Sequence, residues 1–265
     1  MMNAFLFGTA GWVLPVTMVV VLALMLELPY RLAKPRQPVA GEKKTVAWDI
    51  VQAGLFTLAA FVLGLSFAQS TGRFDARREL VVKEANSIGT TWLRAEQLPP
   101  ALEKRFRADL TAYLSVRLTA YKTPRIGQAA LDRAVARSDA YQAQLWSIAS
   151  SQLKAHPTNL GLSLLVETLN DTIDVSGEQF QALTTHTPTA IISLMLLLVA
   201  LATLSAGFRF ARDGARPLAL SALFIFANVA VVTMVVDYDR PQVGSIRVNL
   251  GPLERQLASM QQTAP

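Results

Sequence analysis

The chain has 265 residues, of which 52% are hydrophobic and 17% charged, and its formal net charge is +6. It contains no cysteine, which excludes disulfides and thiolate metal sites, and its only histidines, His156 and His186, are too far apart in sequence to suggest a His-based metal site. The positive charge would favour nucleic acid in a soluble protein, but no recognition module is visible, so we predict no nucleic-acid partner.

Four long apolar stretches determine the class of the protein. Each can cross the hydrocarbon core of a bilayer, which is ~30 Å thick and takes about 20 residues of helix. The stretches are Phe5–Leu28, Ile50–Ala68, Ala190–Phe208 and Pro217–Val236. We predict an all-α membrane protein, with the lipid bilayer as its environment and four transmembrane helices in two pairs. The pairs flank a helical bundle that extends from spans two and three.

The predicted organisation has four segments. Residues 1–68 hold spans one and two with a short basic loop, and residues 69–189 form the bundle. Residues 190–236 hold spans three and four, and residues 237–265 form a C-terminal tail outside the membrane.

The basic residues around the spans indicate an orientation. No Lys or Arg precedes the first span, which argues against a cleaved signal peptide. The short loops 30–46 and 209–216 are rich in Lys and Arg, and such loops usually face the cytoplasm. We therefore expect a bacterial inner-membrane protein with both loops inside, and with the bundle and both termini outside.

Glu27 and Arg31 stand at the end of span one, four residues apart. Acid before base at this spacing is the favourable order in a helix, which predicts an ion pair at the membrane interface. The alternative is an intramembrane proton or ion site, the role that ionisable groups within a membrane often have.

Span two continues without a breaker into a water-exposed helix. Phe74, Val81, Ile88 and Ala95 recur every seven residues and form an apolar face. A second face carries Glu79, Lys83, Asn86 and Thr90, with Glu79 and Lys83 at ion-pair spacing. Asn86 and Thr90 are interpreted as hydrogen-bonding across a helix pair, and Gly89 as permitting close helix contact. The alternative is that this polar stripe lines a pore or a ligand vestibule.

Arg73, Arg77 and Arg78 follow span two directly. Around the axis of an oligomer they could form a ring that concentrates anions. The simpler interpretation is a solvated cluster that binds lipid headgroups.

Three further helices are predicted in the bundle. Pro99–Pro100 ends the first helix, and the next has an apolar stripe that includes Tyr113, Arg117 and Tyr121. The third helix covers roughly residues 128–156, with Ser138 interrupting its inward stripe. Pro157 ends it, and Thr158 or Asn159 can cap the fourth.

Polar groups near the later spans are interpreted as structural. Asn170, Asp171 and Asp174 lack a His or Glu partner at ligand spacing, so we expect hydrogen bonds rather than a metal or a catalytic base. Asn228 inside span four is expected to hydrogen-bond to another helix. Residues 246–250 alternate as a short strand or an extended segment does, and Pro252 starts a short amphipathic helix.

Three separated motifs resemble a family. Phe74–Pro99 reads FDARRELVVKEANSIGTTWLRAEQLP, Leu169–Val175 reads LNDTIDV, and Asp237–Leu250 reads DYDRPQVGSIRVNL. Together with the Glu27–Arg31 junction, they resemble a bestrophin-like family of bacterial membrane proteins of unknown function. The motif residues, whose role the resemblance does not specify, are Glu27, Arg31, Arg77, Arg78, Glu84, Asn86, Gly89, Thr90, Arg94, Asn170, Asp171, Asp174, Asp239, Arg240, Pro241 and Gly244.

The family label implies kinship with bestrophins, which are oligomeric anion channels with four membrane helices. A bestrophin topology would place both termini and the bundle inside, opposite to the orientation that the basic loops favour. Asp237, Asp239, Arg240, Pro241 and Gly244 are interpreted as a compact turn in which Arg240 pairs locally.

Two functional hypotheses follow. The sequence shows no nucleophile–base set, phosphate loop or metal motif, so we expect neither an enzyme nor a cofactor. The first hypothesis is a homo-oligomeric anion channel, supported by the polar stripe, the basic cluster and the resemblance. The second is a membrane-anchored helical interaction or sensory module without transport activity, in which the bundle is the working part.

Overall fold

The computed structural model describes residues 11–32, 46–123, 128–214, 217–240 and 246–262. A short 3₁₀ turn, Ala95–Gln97, follows the second α-helix. Within the described ranges there is no strand, which confirms the all-α prediction. Residues 247–250, before the last helix, are therefore an extended segment that forms no strand with another described residue. The α-helices are α1 (Val13–Leu32), α2 (Val46–Arg94), α3 (Pro100–Lys122), α4 (Gln128–Ala155), α5 (Leu160–Thr184), α6 (Thr189–Asp213), α7 (Leu218–Tyr238) and α8 (Gly251–Gln262).

The four predicted spans are confirmed. Four helical runs are long and apolar enough to cross a membrane: Val13–Leu32, Trp48–Gln97, Leu160–Asp213 and Leu218–Tyr238. The second and third runs contain the predicted stretches, and the fourth begins one residue after Pro217. The first begins at Val13 rather than Phe5, and residues 5–10 lie outside the described part of the chain. α2 is a single helix of 49 residues, so span two does continue into the bundle without interruption.

The chain forms two compact units. The membrane unit comprises Met1–Arg73, His186–Arg240 and Gly244–Ile246. The bundle unit comprises Phe74–Thr185, Pro241–Val243 and Arg247–Pro265. The boundary between them at Arg73 falls inside α2, and each unit has a hydrophobic core of its own.

In the membrane unit, α1 packs on both α6 and α7. The core is made of aliphatic side chains, while other large apolar side chains of the same helices, such as Leu24 and Leu220, are exposed as expected for a lipid-facing surface. Core members are Leu14, Met18 and Leu22 of α1, Leu63 of α2, Ile192, Met195 and Val199 of α6, and Val229, Val232, Val235 and Val236 of α7.

The bundle unit has the larger core. The seven-residue repeat is buried at Val81 and Ile88 of α2 and at Ala95 of the 3₁₀ turn that follows it, as the periodicity predicts. The helices that cover it contribute Phe106, Leu110 and Leu114 from α3, Leu145 from α4, Leu162, Leu165 and Leu169 from α5, and Leu253 and Met260 from α8.

Two details of the bundle refine the sequence prediction. Asn159 is the N-cap of α5, because its Oδ1 accepts a hydrogen bond of 3.2 Å from the backbone N–H of Leu162. Ser138 is buried rather than an interruption of the inward stripe of α4. A small hydroxyl side chain can lie against a neighbouring helix, so its polarity alone does not indicate exposure.

The closest backbone approach involving a glycine occurs where α1 meets α6. A Cβ atom on Gly207 would lie 2.7 Å from the carbonyl oxygen of Leu26, nearer than atoms pack. We expect Gly207→Ala to force the two helices apart and to destabilise the protein by about 1–3 kcal/mol. The measurement is the thermal unfolding midpoint of the full chain in detergent.

Gly177→Ala, in the interior of α5, is the matched control, since a Cβ there meets no described atom within 4 Å. It should keep or raise the midpoint, because Ala is the better helix former. Equal effects of the two substitutions would contradict the close contact.

Candidate functional site

An open groove runs along the polar stripe of α2. It has a volume of about 880 Å³ and lies between α2 and α5 in the bundle unit. Both signs of charge occur on its walls, so it is polar without being strongly basic or acidic. Its polar lining residues are Asp75, Arg78, Glu79, Lys83, Asn86, Ser87, Thr90, Thr168 and Asp171.

The stripe residues do not bond as predicted. The hydroxyl of Thr90 donates to the carbonyl oxygen of Asn86 in its own helix at 2.9 Å, so this bond does not cross a helix pair. Lys83 forms an ion pair of 3.0 Å with Glu178 of α5 rather than the expected pair with Glu79. Asn86 is exposed in the groove, where water or a ligand can reach it.

Gly89 lies against a side chain of α8, and its predicted role in a close helix contact stays a prediction. A Cβ there would lie 2.9 Å from Oε1 of Gln256. The neighbouring atom is the end of a flexible side chain, and a small substituent at Gly89 could be accommodated by a shift of Gln256.

Two motif arginines hold the ends of α5. Arg77 donates through Nε to the carbonyl of Ala182 at 2.9 Å and through Nη2 to that of Thr185 at 2.8 Å. Arg94 donates through Nη1 to the carbonyl of Leu164 at 2.7 Å. Carbonyls in the last turn of a helix lack intrahelical partners, so Arg77 satisfies groups that the fold leaves open.

The predicted basic cluster is therefore divided. Arg77 is only 4% exposed, and Arg73 binds Asp239 within the membrane unit. Only Arg78 is exposed on the groove wall. The prediction of three solvent-facing arginines was wrong because two of them satisfy acceptors of the chain itself.

A buried ion pair lies behind the groove. Glu84 is fully buried, and its Oε1 accepts from Nε of Arg117 at 2.8 Å. Nη2 of Arg117 also donates to the hydroxyl of Tyr121 at 2.5 Å. That hydroxyl lies 2.5 Å from Oε1 of Gln179 and 3.3 Å from Oε2 of Glu84, so it can donate to either.

The sequence carried a signal for this pair. Arg117 occupies an apolar position in the stripe of α3, where a charged side chain requires a partner, and Glu84 lies on the inward side of α2. Periodicity cannot show which residues of different helices meet, so the partnership was not predicted.

The environment shifts the ionisation of the buried groups. Burial raises the pKa of Tyr121 well above its ordinary value, and the carboxylate of Glu84 raises it further. Burial likewise raises the pKa of Tyr113. Burial alone would lower the pKa of Arg117, but the charge and hydrogen bond of Glu84 together with the two tyrosine hydroxyls outweigh burial, and the pKa is raised. Arg117 therefore stays charged and both tyrosines stay protonated at neutral pH.

Asp239 ties three segments of the membrane unit together. Its Oδ1 accepts from Nε of Arg73 at 3.2 Å and its Oδ2 from the backbone N–H of Thr187 at 2.7 Å. Arg73 also donates to the Thr187 hydroxyl. Arg240 is buried beside this contact, while Pro241 and Gly244 of the predicted turn lie outside the described residues.

The other predicted polar residues make local contacts. Nε of Arg31 lies 2.7 Å from Oε1 of Glu27, as the spacing predicts, and Arg31 is largely exposed. Asn170 donates to Asp174 at 2.8 Å on the surface of α5.

Two expectations about polar groups can also be compared with the structure. Asn228 donates to the carbonyl of Phe224 in its own helix at 2.9 Å, not to another helix. Among the residues that the structure describes, no group of three or more His, Asp or Glu side chains is arranged to hold a metal.

Comparison with known proteins supports a relationship over almost the whole chain. A Bestrophin-like domain profile matches residues 17–253. A variant of a bacterial bestrophin homologue from Klebsiella pneumoniae has a TM-score of 0.66 and 18% identity, covering 94% of each chain. A second solved structure, described as a membrane protein, has a TM-score of 0.70 and 17% identity, covering 94% of this chain and 99% of the other. No match was found among curated proteins. At these identities the structural likeness shows the fold alone.

Removing one partner of the buried ion pair should lower the free energy of unfolding substantially. We expect Arg117→Met to destabilise the protein by about 3–5 kcal/mol, because it leaves the Glu84 carboxylate buried without its counter-ion. The control is Lys83→Met, which breaks the exposed pair with Glu178 and should cost about 0–1 kcal/mol. Unfolding midpoints in detergent that fall equally in the two variants would contradict the role of the buried pair.

The raised pKa values of Tyr113 and Tyr121 predict that the stability of the folded chain depends on pH. In the unfolded chain these tyrosines ionise near the ordinary tyrosine pKa of about 10, whereas in the folded chain they resist ionisation. The stability they contribute is therefore complete below about pH 10 and is lost as the pH rises from there through the raised folded values.

Absorbance at 295 nm measures this ionisation for the five tyrosines. Compared with the wild type, the double variant Tyr113→Phe/Tyr121→Phe should lose absorbance change only well above pH 10, the ordinary range of tyrosine. An absorbance change that the double variant loses near pH 10 would show that the two hydroxyls ionise normally.

Proposed function

Because the chain belongs to the Bestrophin-like family, we propose that it is one subunit of an oligomeric channel that conducts anions across a bacterial membrane. Kinship with bestrophins supports both the oligomer and the anion. The observation in this chain that carries the proposal is the surface of α2.

α2 is the span least covered by its own chain. In its most apolar 18-residue stretch only 11% of residues are buried, against 44% in the run that contains α6. One face of the stretch is exposed at Phe61, Gly64, Ala68 and Gly72, at three- and four-residue steps. Small residues at such steps let helices of neighbouring subunits approach closely. A helix that contributes to a shared axis would leave this kind of face open.

The stripe continues along α2 beyond the apolar stretch with Asp75, Glu79 and Asn86, which line the open groove. The change from small apolar to charged residues suits a helix that leaves lipid and borders water. The groove carries charges of both signs, so its lining gives no preference for anions over cations. The choice of anions is supported by the family alone.

The proposal is tested by chloride flux in liposomes together with the mass of the purified complex. We expect a closed oligomer of several subunits whose flux Gly64→Phe reduces to background. A Cβ on Gly64 meets no atom of its own chain within 4 Å, so the substitution should leave the subunit folded and affect the shared axis. The control is Leu223→Phe, on the exposed surface of α7, which should conduct normally.

Three results would oppose the proposal. The first is a monomer, which leaves no shared axis and favours an interaction or sensory module. The second is an oligomer without flux at any tested voltage, pH or calcium concentration. The third is equal flux in Gly64→Phe and wild type, which would place the axis elsewhere.

A further inference from the structure

A second cavity in the bundle unit is lined by residues that the proposed channel function does not explain. It has a volume of about 180 Å³ and is bounded by α2, α3, α5 and the extended segment Arg247–Leu250. None of its described lining residues also lines the open groove. It therefore requires its own explanation.

The charges around this cavity favour an anion. Arg77, Lys122 and Arg247 line it, and no acidic side chain is among the described residues of its wall. Lys122 forms an ion pair of 2.7 Å with Glu254, where both side chains are about half exposed. Glu84 lies behind Tyr121 and is paired with Arg117, so its charge is compensated locally.

One wall also offers an unused hydrogen-bond donor. Gln179 is 4% exposed, and its Oε1 is bound to the hydroxyl of Tyr121. Its Nε2 is buried and has no hydrogen-bond partner among the described residues. Buried donors are rarely left without an acceptor, so an acceptor oxygen supplied by a ligand would complete this wall.

The rest of the lining is apolar. Leu80, Val81, Leu183, Val248 and Leu250 complete the wall beside the polar groups. A water molecule takes about 30 Å³ of liquid, so this space corresponds to a ligand of roughly six to nine non-hydrogen atoms. Chloride would leave the apolar surface unfilled, inorganic phosphate would lose hydration against it, and a long lipid chain would not fit.

We propose that this cavity binds a small organic carboxylate with an apolar body, of about the size of benzoate or hexanoate. Its carboxylate would accept hydrogen bonds from Arg247 and the amide of Gln179, while the charges of Arg77 and Lys122, which keep their contacts with the chain, add to the attraction. Its apolar body would lie against the leucine and valine side chains. A ligand there would contact α2, α5 and the extended segment at once. The inference concerns binding alone and does not depend on conduction.

The test is isothermal titration calorimetry of sodium benzoate against the full chain in nanodiscs, with empty nanodiscs subtracted. We expect saturable binding with one site per chain, and much weaker binding of benzyl alcohol, which has the ring without the charge. Arg247→Gln should weaken benzoate binding about tenfold, as expected for loss of one charge-assisted hydrogen bond. Val248→Trp should abolish it by filling the cavity.

Arg137→Gln is the control, because Arg137 lines a different groove between α3 and α4. It should bind benzoate as wild type does, and each variant is checked for an unchanged mass and unfolding midpoint. If Val248→Trp does not fold, the benzoate affinity of Arg247→Gln is the deciding measurement. The proposal is overturned by an absence of saturable binding, by equal binding of benzyl alcohol, or by an affinity that Arg247→Gln leaves unchanged. A channel that conducts but does not bind benzoate would refute this inference and leave the proposed function intact.

Discussion

The structure depends on one constraint: α2 is a single helix that must suit two different surroundings. Its first part can cross a membrane, and its second part forms one wall of the bundle core. A helix satisfies its own backbone hydrogen bonds in lipid and in water alike, so no break is needed where the surroundings change. What changes is the side-chain pattern, from generally apolar to a narrow apolar stripe with a seven-residue repeat. Both cores of the chain thus include residues of the same helix.

The buried pair of Glu84 and Arg117 joins α2 to α3 in a way that apolar packing cannot. Apolar side chains tolerate small rotations and shifts, whereas this pair requires a fixed distance between particular atoms. Tyr121 and Gln179 extend the same network to α5, so three helices are fixed relative to one another. A buried ion pair often adds little net stability compared with apolar residues of similar volume. Its effect here is better understood as selecting one arrangement of helices among several that would bury similar apolar area.

Much of this fold could be predicted from the sequence, for reasons that particular elements show. The spans follow from length and hydropathy, and the inward face of α2 and of the turn after it follows from the spacing of Val81, Ile88 and Ala95. These are properties of one segment at a time. The errors concern contacts between segments: Lys83 pairs with Glu178 on α5 instead of Glu79, and Arg77 is buried against the end of α5 instead of facing water. Local spacing identifies a partner that is available within a helix, but it cannot reveal a better one brought close by the fold.

The motif residues divide by environment, and this division bears on where function resides. Arg77, Arg94, Glu84 and Asp239 are engaged by acceptors or counter-ions of the chain itself, so their contacts are sufficient to explain them structurally. Arg78, Asn86 and Asp171 line the open groove instead. A substitution in the first group should act through folding, and its effect on transport would be indirect. In the proposed channel, only the second group could meet a permeating ion without rearrangement of the bundle. A loss of ion flux at unchanged stability is therefore informative for substitutions in that group.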